Sequence, residues 1–88
     1  MDEQAFRQKL EAAGCDEIAA VEWEANTINE SHTHEFSASL MVLSGEMTVT
    51  SDSGITTCRA GDTFELAADM LHAETVGDEG IRFLVGRM

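Results

Sequence analysis

The chain is 88 residues long and carries 5 Lys+Arg against 17 Asp+Glu, a formal net charge of −12. That length allows one compact domain with a small core, and 43% hydrophobic with 25% charged residues is a globular rather than a disordered composition. The acidic balance excludes nucleic acid and anionic membrane surfaces as partners, and no apolar run approaches the ~20 residues of a membrane span.

Residues 1–14, MDEQAFRQKLEAAG, form a charged amphipathic stretch rather than a secretory leader. Ala5, Phe6, Leu10 and Ala13 make an apolar stripe close to helical spacing. Asp2 suits the cap, Glu3 the positive end of the helix dipole and Gly14 the stop. The spacing predicts a helix over 3–13, lying on a β domain that occupies residues 15–88. The two cysteines, Cys15 and Cys58, are too few for a disulfide scaffold and read as reduced thiols of a cytoplasmic protein.

After Gly14 the apolar period falls from near 3.6 to near 2. Strands are predicted over 18–24 (IAAVEWE), 37–43 (SASLMVL), 46–50 (EMTVT), 55–59 (ITTCR), 63–66 (TFEL), 73–76 (AETV) and 81–85 (IRFLV). Turn signals separate them: Ser44-Gly45, Asp52-Ser53-Gly54, Ala60-Gly61-Asp62 and Gly77-Asp78-Glu79-Gly80. Short strands at regular spacing imply an all-β sandwich or small barrel, with Asp52-Ser53-Gly54 as a hairpin tip.

The chain holds three histidines, His32, His34 and His72. The pair His32-x-His34 is expected to open a strand, which sets both imidazoles on one face about 6.6 Å apart along the chain. Nitrogens so spaced can converge on one metal ion at about 2.0–2.1 Å. His72, after the loop 67–71, is the candidate third ligand. Three imidazoles suit several first-row ions and leave positions open for water or substrate.

Around these histidines the chain resembles the cupin family. Its first motif, G-x5-H-x-H-x3-E-x6-G, falls on Asn26, His32, His34, Ala38 and Gly45; its second, G-x5-P-x-G-x2-H-x3-N, falls on Gly61, Ala67, Asp69, His72 and Val76. Neither alignment needs a gap. The resemblance implies a double-stranded β-helix, the jelly-roll-like barrel of RmlC-like cupins, with His32, His34 and His72 on one divalent transition metal: Zn, Fe, Ni or Mn. The departures carry chemistry. Asn26 replaces a turn glycine, a change Asn accepts better than most residues. Ala67 and Asp69 replace the proline and glycine before His72, which is expected to loosen that loop. Ala38 replaces a glutamate that ligates in many cupins, so an ion on neutral imidazoles keeps its full charge and favours an anionic ligand.

Glu74 lies two residues beyond His72 and shares its face if the strand is regular. Its expected roles are acid/base group, partner of an imidazole N–H, or fourth ligand. Phe36, Ala38, Leu40, Met47, Phe64 and Phe83 are the expected apolar pocket lining. Glu35 should be solvated and Asp62 a turn residue. Trp23 is expected to pack against the helix or a partner subunit, Cys58 to be a structural thiol, and Arg82 and Arg87 to neutralise nearby carboxylates. The resemblance implies dioxygenase, isomerase or lyase chemistry on a small anionic organic molecule. The alternative is a non-catalytic module that binds or senses a small ligand. A small core and exposed sheet edges favour a homodimer, and small cupins pair through a sheet, often by the first strand.

Overall fold

The computed structural model of the protein describes residues 2–15, 17–52 and 54–88. Helix α1 spans Glu3–Ala12, and the Asp2 carboxylate caps it by accepting from the Ala5 N–H at 2.7 Å. The helix ends one residue earlier than expected because Gly14, at φ 84, turns the chain left-handed. Cys15 N–H then donates to Leu10 O and Gly14 N–H to Glu11 O, both at 3.1 Å, which satisfies two of the last helical carbonyls. Phe6 and Leu10 form the buried face, clustered with Met41 and Leu84 from the sheet. No helix among the described residues is long and apolar enough to cross a membrane.

The rest is β: β1 (Glu17–Trp23), β2 (Ile28–His32), β3 (Ala38–Ser51), β4 (Gly54–Arg59), β5 (Thr63–Leu66) and β6 (His72–Arg87). All of the ladders are antiparallel. β3 and β6 are long and pair with each other from Ala38↔Arg87 to Ser51↔His72. At one end β1 pairs with residues 81–87 of β6, and β5 with residues 38–41 of β3. At the other end β2 joins β6 from His72, and β4 pairs with residues 46–51 of β3. Two long strands therefore serve two groups of short ones, β1-β6-β3-β5 and β2-β6-β3-β4, closed over one core: a double-stranded β-helix.

Alternation along the strands fills that core. Leu40, Val42, Met47 and Val49 of β3 meet Val76, Ile81, Phe83 and Val85 of β6, with Cys58 and Leu66. Met41 and Leu84, on the opposite face, carry the helix instead.

Three sequence expectations change. The segments 37–43 and 46–50 are one strand, as are 73–76 and 81–85, because Ser44-Gly45 and Gly77–Gly80 bend the ladder without ending it. Leu43 is unpaired between Val42↔Phe83 and Ser44↔Arg82, and Gly77–Gly80 together face only Glu46. Such bulges deepen the twist that lets long strands wrap a core. The third change is β2 itself, unforeseen by sequence: His32 closes it, so the His32-x-His34 pair does not open a strand. Of the expected hairpin tip, Ser53 lies outside the described residues; Ser51 pairs with Gly54.

Gly45 makes the corner. It sits at φ +79, and a β-carbon there would overlap the Gly80 carbonyl oxygen. Gly45→Ala is therefore expected to cost about 3–5 kcal/mol, combining left-handed strain with overpacking against main chain. Gly61, at φ +90 but facing open space, supplies the comparison: Gly61→Ala should cost only about 1–2 kcal/mol. Equilibrium urea denaturation of both variants checks the difference.

Candidate metal centre

Backbone turns deliver the three histidines. Asn26 and Asp69 both adopt φ 62, so the two motif positions where glycine is replaced keep a left-handed turn. Asn and Asp are the residues other than glycine that enter that region most readily. Asn26 N–H donates to Gly77 O at 3.0 Å, and Asp69 N–H to His34 O at 2.7 Å. The loop before His72, expected to be loosened by Ala67 and Asp69, is thus tied to the loop that carries His34. His32, at the end of β2, is the register partner of His72, at the start of β6. His34 follows β2, outside regular structure.

The rings gather. Their centroids stand 4.4 Å (His32–His72), 4.7 Å (His34–His72) and 5.2 Å (His32–His34) apart. One ring nitrogen from each lies within 4.8 Å of the other two. Two tautomers follow from hydrogen bonding. His32 Nδ1 is 2.7 Å from Glu30 O and His72 Nδ1 is 2.9 Å from Met70 O. A carbonyl only accepts, so each Nδ1 carries the proton and, in a neutral ring, Nε2 keeps its lone pair. His72 Nε2 and His34 Nδ1 are buried without a hydrogen-bond partner among the described residues. Buried acceptors are costly unless something binds them, and a donor set of imidazoles fits a divalent transition ion.

His34 lies flat against Phe36, with centroids 4.7 Å apart and planes 10° from parallel. The Arg87 guanidinium lies 4.9 Å from the centre of the same Phe36 ring. Burial, then the imidazoles of His72 and His32, then Arg87, hold His34 below the usual histidine pKa. Glu74 is buried on the face of β6 that carries His72. Its Oε1 is 3.4 Å from His32 Nε2 and 3.9 Å from His72 Nε2.

His32, His34 and Glu74 border a cavity of about 650 Å³ with a largely apolar wall, and the His72 ring is buried behind them. Phe36, Ala38, Leu40 and Phe83 line it, with His32, His34 and Glu74. Met47 and Phe64 do not line it: Met47 is fully buried in the core and Phe64 packs against that core. Trp23 is on the wall as well, edge-on to Phe83 at 5.1 Å, rather than against the helix. Arg87 is the one arginine or lysine among the described lining residues, and it also reaches Glu17 at 3.4 Å. Its place was legible, because Phe83, Val85 and Arg87 alternate onto one face of β6; Asn29 and Glu30, on the unforeseen β2, had no such signal. Glu35 is exposed. Asp62 accepts from Arg59 N–H at 2.9 Å as a turn residue. Cys58 is buried, and burial followed by the charge of Asp62 raises its thiol pKa.

A double-stranded β-helix with histidines clustered inside it defines the class of protein. A family model for the cupin domain matches residues 19–86. The chain belongs to the cupin domain family. No curated protein matches it by sequence. Among solved structures it is similar to the cupin domain of Schizosaccharomyces pombe Cnp3, with a TM-score of 0.72 and 17% identity over 80% of this chain and 50% of that one. It is similar to an RmlC-like cupin from Shewanella frigidimarina, with a TM-score of 0.66 and 27% identity over 81% of this chain and 66% of that one. A structure from a study of the DMSP lyases RdDddP and RnDddQII gives a TM-score of 0.73 and 21% identity, over 80% of this chain but 36% of that one. The chain thus spans a third to two thirds of the length of these relatives, and at such identities the likeness shows the fold.

A pH dependence follows from His34. The unfolded chain protonates this residue near its ordinary value of about 6.5, whereas the folded protein holds it neutral to lower pH. Unfolding therefore takes up a proton below about pH 6.5, so this contribution is full above that value and declines as pH falls through the folded pKa. Metal-free protein is expected to lose stability from about pH 7 to pH 5 more steeply than its His34→Asn variant. Urea denaturation across that range measures the two slopes.

Proposed function

We propose that the protein holds one divalent transition metal on a ring nitrogen of each of His32, His34 and His72, and presents it to a small anionic organic molecule in the adjoining cavity. The observation that carries this reading is the pair of Nδ1–carbonyl bonds, which leaves the Nε2 lone pairs of His32 and His72 unclaimed by main chain in a cluster whose ring nitrogens lie within 4.8 Å of one another. When bound, the ion supplies a Lewis acid that polarises a substrate oxygen or activates water or O₂. The remaining work belongs to the chain. Glu30 and Met70 fix the tautomers, Phe36 backs the His34 ring, and the apolar wall limits competing water. Arg87 adds positive potential to the cavity, which favours an anion.

Within that frame the chemistry we favour is that of a dioxygenase, isomerase or lyase, with Zn, Fe, Ni or Mn as the ion. One structural neighbour comes from work on lyases, although that likeness is one of fold. The second reading is a non-catalytic module that binds or senses a small ligand. It draws support from Ala38 and Val76, where motif side chains are absent, and from Glu74 as the one buried carboxylate at the cavity. Saturable binding of one compound, without turnover across a panel of carboxylates, thiols and diketones, would favour the module. We also propose that the protein is a homodimer, because β1 is an edge strand; light scattering reads this directly.

Purified protein is expected to carry about one metal ion per chain, and chelation should lower its melting temperature, since an ion at a hundred times its Kd contributes about 2.7 kcal/mol. His32→Ala and His72→Ala should each remove most of the metal while leaving the far-ultraviolet circular dichroism unchanged. Elemental analysis of the three proteins decides it; a metal-free wild type from a metal-replete culture would overturn the reading.

A further inference from the structure

Glu74 poses a problem that hydrogen bonding does not solve. Its side chain is 7% exposed, and its Oε1 faces two imidazole nitrogens, of His32 and His72. Both are Nε2, and both rings place their Nδ1 on a main-chain carbonyl. In the neutral tautomers these bonds select, two nitrogen lone pairs and a carboxylate oxygen face one another with no proton between them. A buried carboxylate among acceptors is strongly unfavourable. A charge-assisted imidazole–carboxylate hydrogen bond is about 2.7–2.9 Å long, whereas the separations are 3.4 and 3.9 Å. The 3.4 Å separation from His32 Nε2 matches two ligands held at ~2.1 Å in a tetrahedral arrangement, and Glu74 approaches the three-histidine cluster from its His32–His72 side, outside the set of atoms that lie within 4.8 Å of one another.

We infer that Glu74 is a direct metal ligand, supplying from β6 the carboxylate that Ala38 no longer supplies from β3. This rests on the metal-binding reading above and extends it. Motif one places the ligating glutamate on the strand after His34; here that position is a buried alanine on the cavity wall. The alternation of β6 puts Glu74 on the buried face beside His72, so the charge lost at one strand is restored from its neighbour. The consequence for the ligand is specific. The ion carries one unit of positive charge less than it would on three imidazoles, and the space beside Ala38 is left free for a bound molecule.

The test uses full-length protein loaded with Co(II), read by chelator competition and by visible absorption of the Co(II) site. Glu74→Gln keeps the volume and removes the anionic donor. It is expected to weaken Co(II) binding about 100-fold or more, beyond the 10–100-fold typical of an outer-shell partner, and to shift the absorption band. The melting temperature of Glu74→Gln should also rise less than that of wild type on adding Co(II). Glu74→Asp, which keeps the charge but shortens the reach, should fall between the two. Stoichiometric Co(II) binding by wild type, with Glu74→Gln unchanged in affinity and spectrum, would overturn the role of Glu74 and leave the three-histidine site standing. Failure of wild type to bind Co(II) would overturn both.

Discussion

The antiparallel ladder between β3 and β6 carries the rest of the molecule, since each remaining strand is bonded to one of these two. Its register is under strong constraint. A slip by one residue would exchange the faces of both strands, sending Leu40, Val42, Phe83 and Val85 out of the core and drawing Met41 and Leu84 away from α1. The same slip would turn His72 and Glu74 outward. Core and site are therefore set by one choice of pairing, and the corner at Gly45 and Gly80 holds it by bringing two backbones closer than any side chain allows.

The electrostatics of the site run against those of the surface. The chain carries −12 formal charges, which raises the concentration of cations around it, whereas the cavity wall sets Arg87 beside the histidine rings, Glu30 and Glu74. An anion must therefore cross an unfavourable outer field, and Arg87 is the one arginine or lysine that the described wall offers it. Arg87 mediates between the two regions: Glu17 holds it from the surface and Phe36 backs it from within.

Much of this was legible in the sequence, for identifiable reasons. Strict alternation in the stretches around Leu40 and Phe83 gave away the inner face of the long strands, and the two-residue step from His72 to Glu74 placed that carboxylate beside the rings. Turn chemistry was harder to read. Ser44-Gly45 has the composition of a chain reversal, but here glycine serves close approach at a bend. β2 had no apolar period at all: Ile28 is exposed and Asn29, Glu30 and Ser31 follow it. Its pairing depends on main-chain bonds to β6, which no side-chain pattern announces. His34 likewise joins the other two rings from a loop, so strand periodicity gave the right company for the wrong reason.

The paired bonds from His32 to Glu30 and from His72 to Met70 share one geometry: in each, the ring binds the carbonyl two residues earlier in its own chain. The tautomer of each ring is thus set within a three-residue segment, while the position of the ring follows from the strand pairing of β6. Substitutions on the cavity wall that keep this pairing leave unchanged which nitrogen of His32 and His72 is free of the main chain.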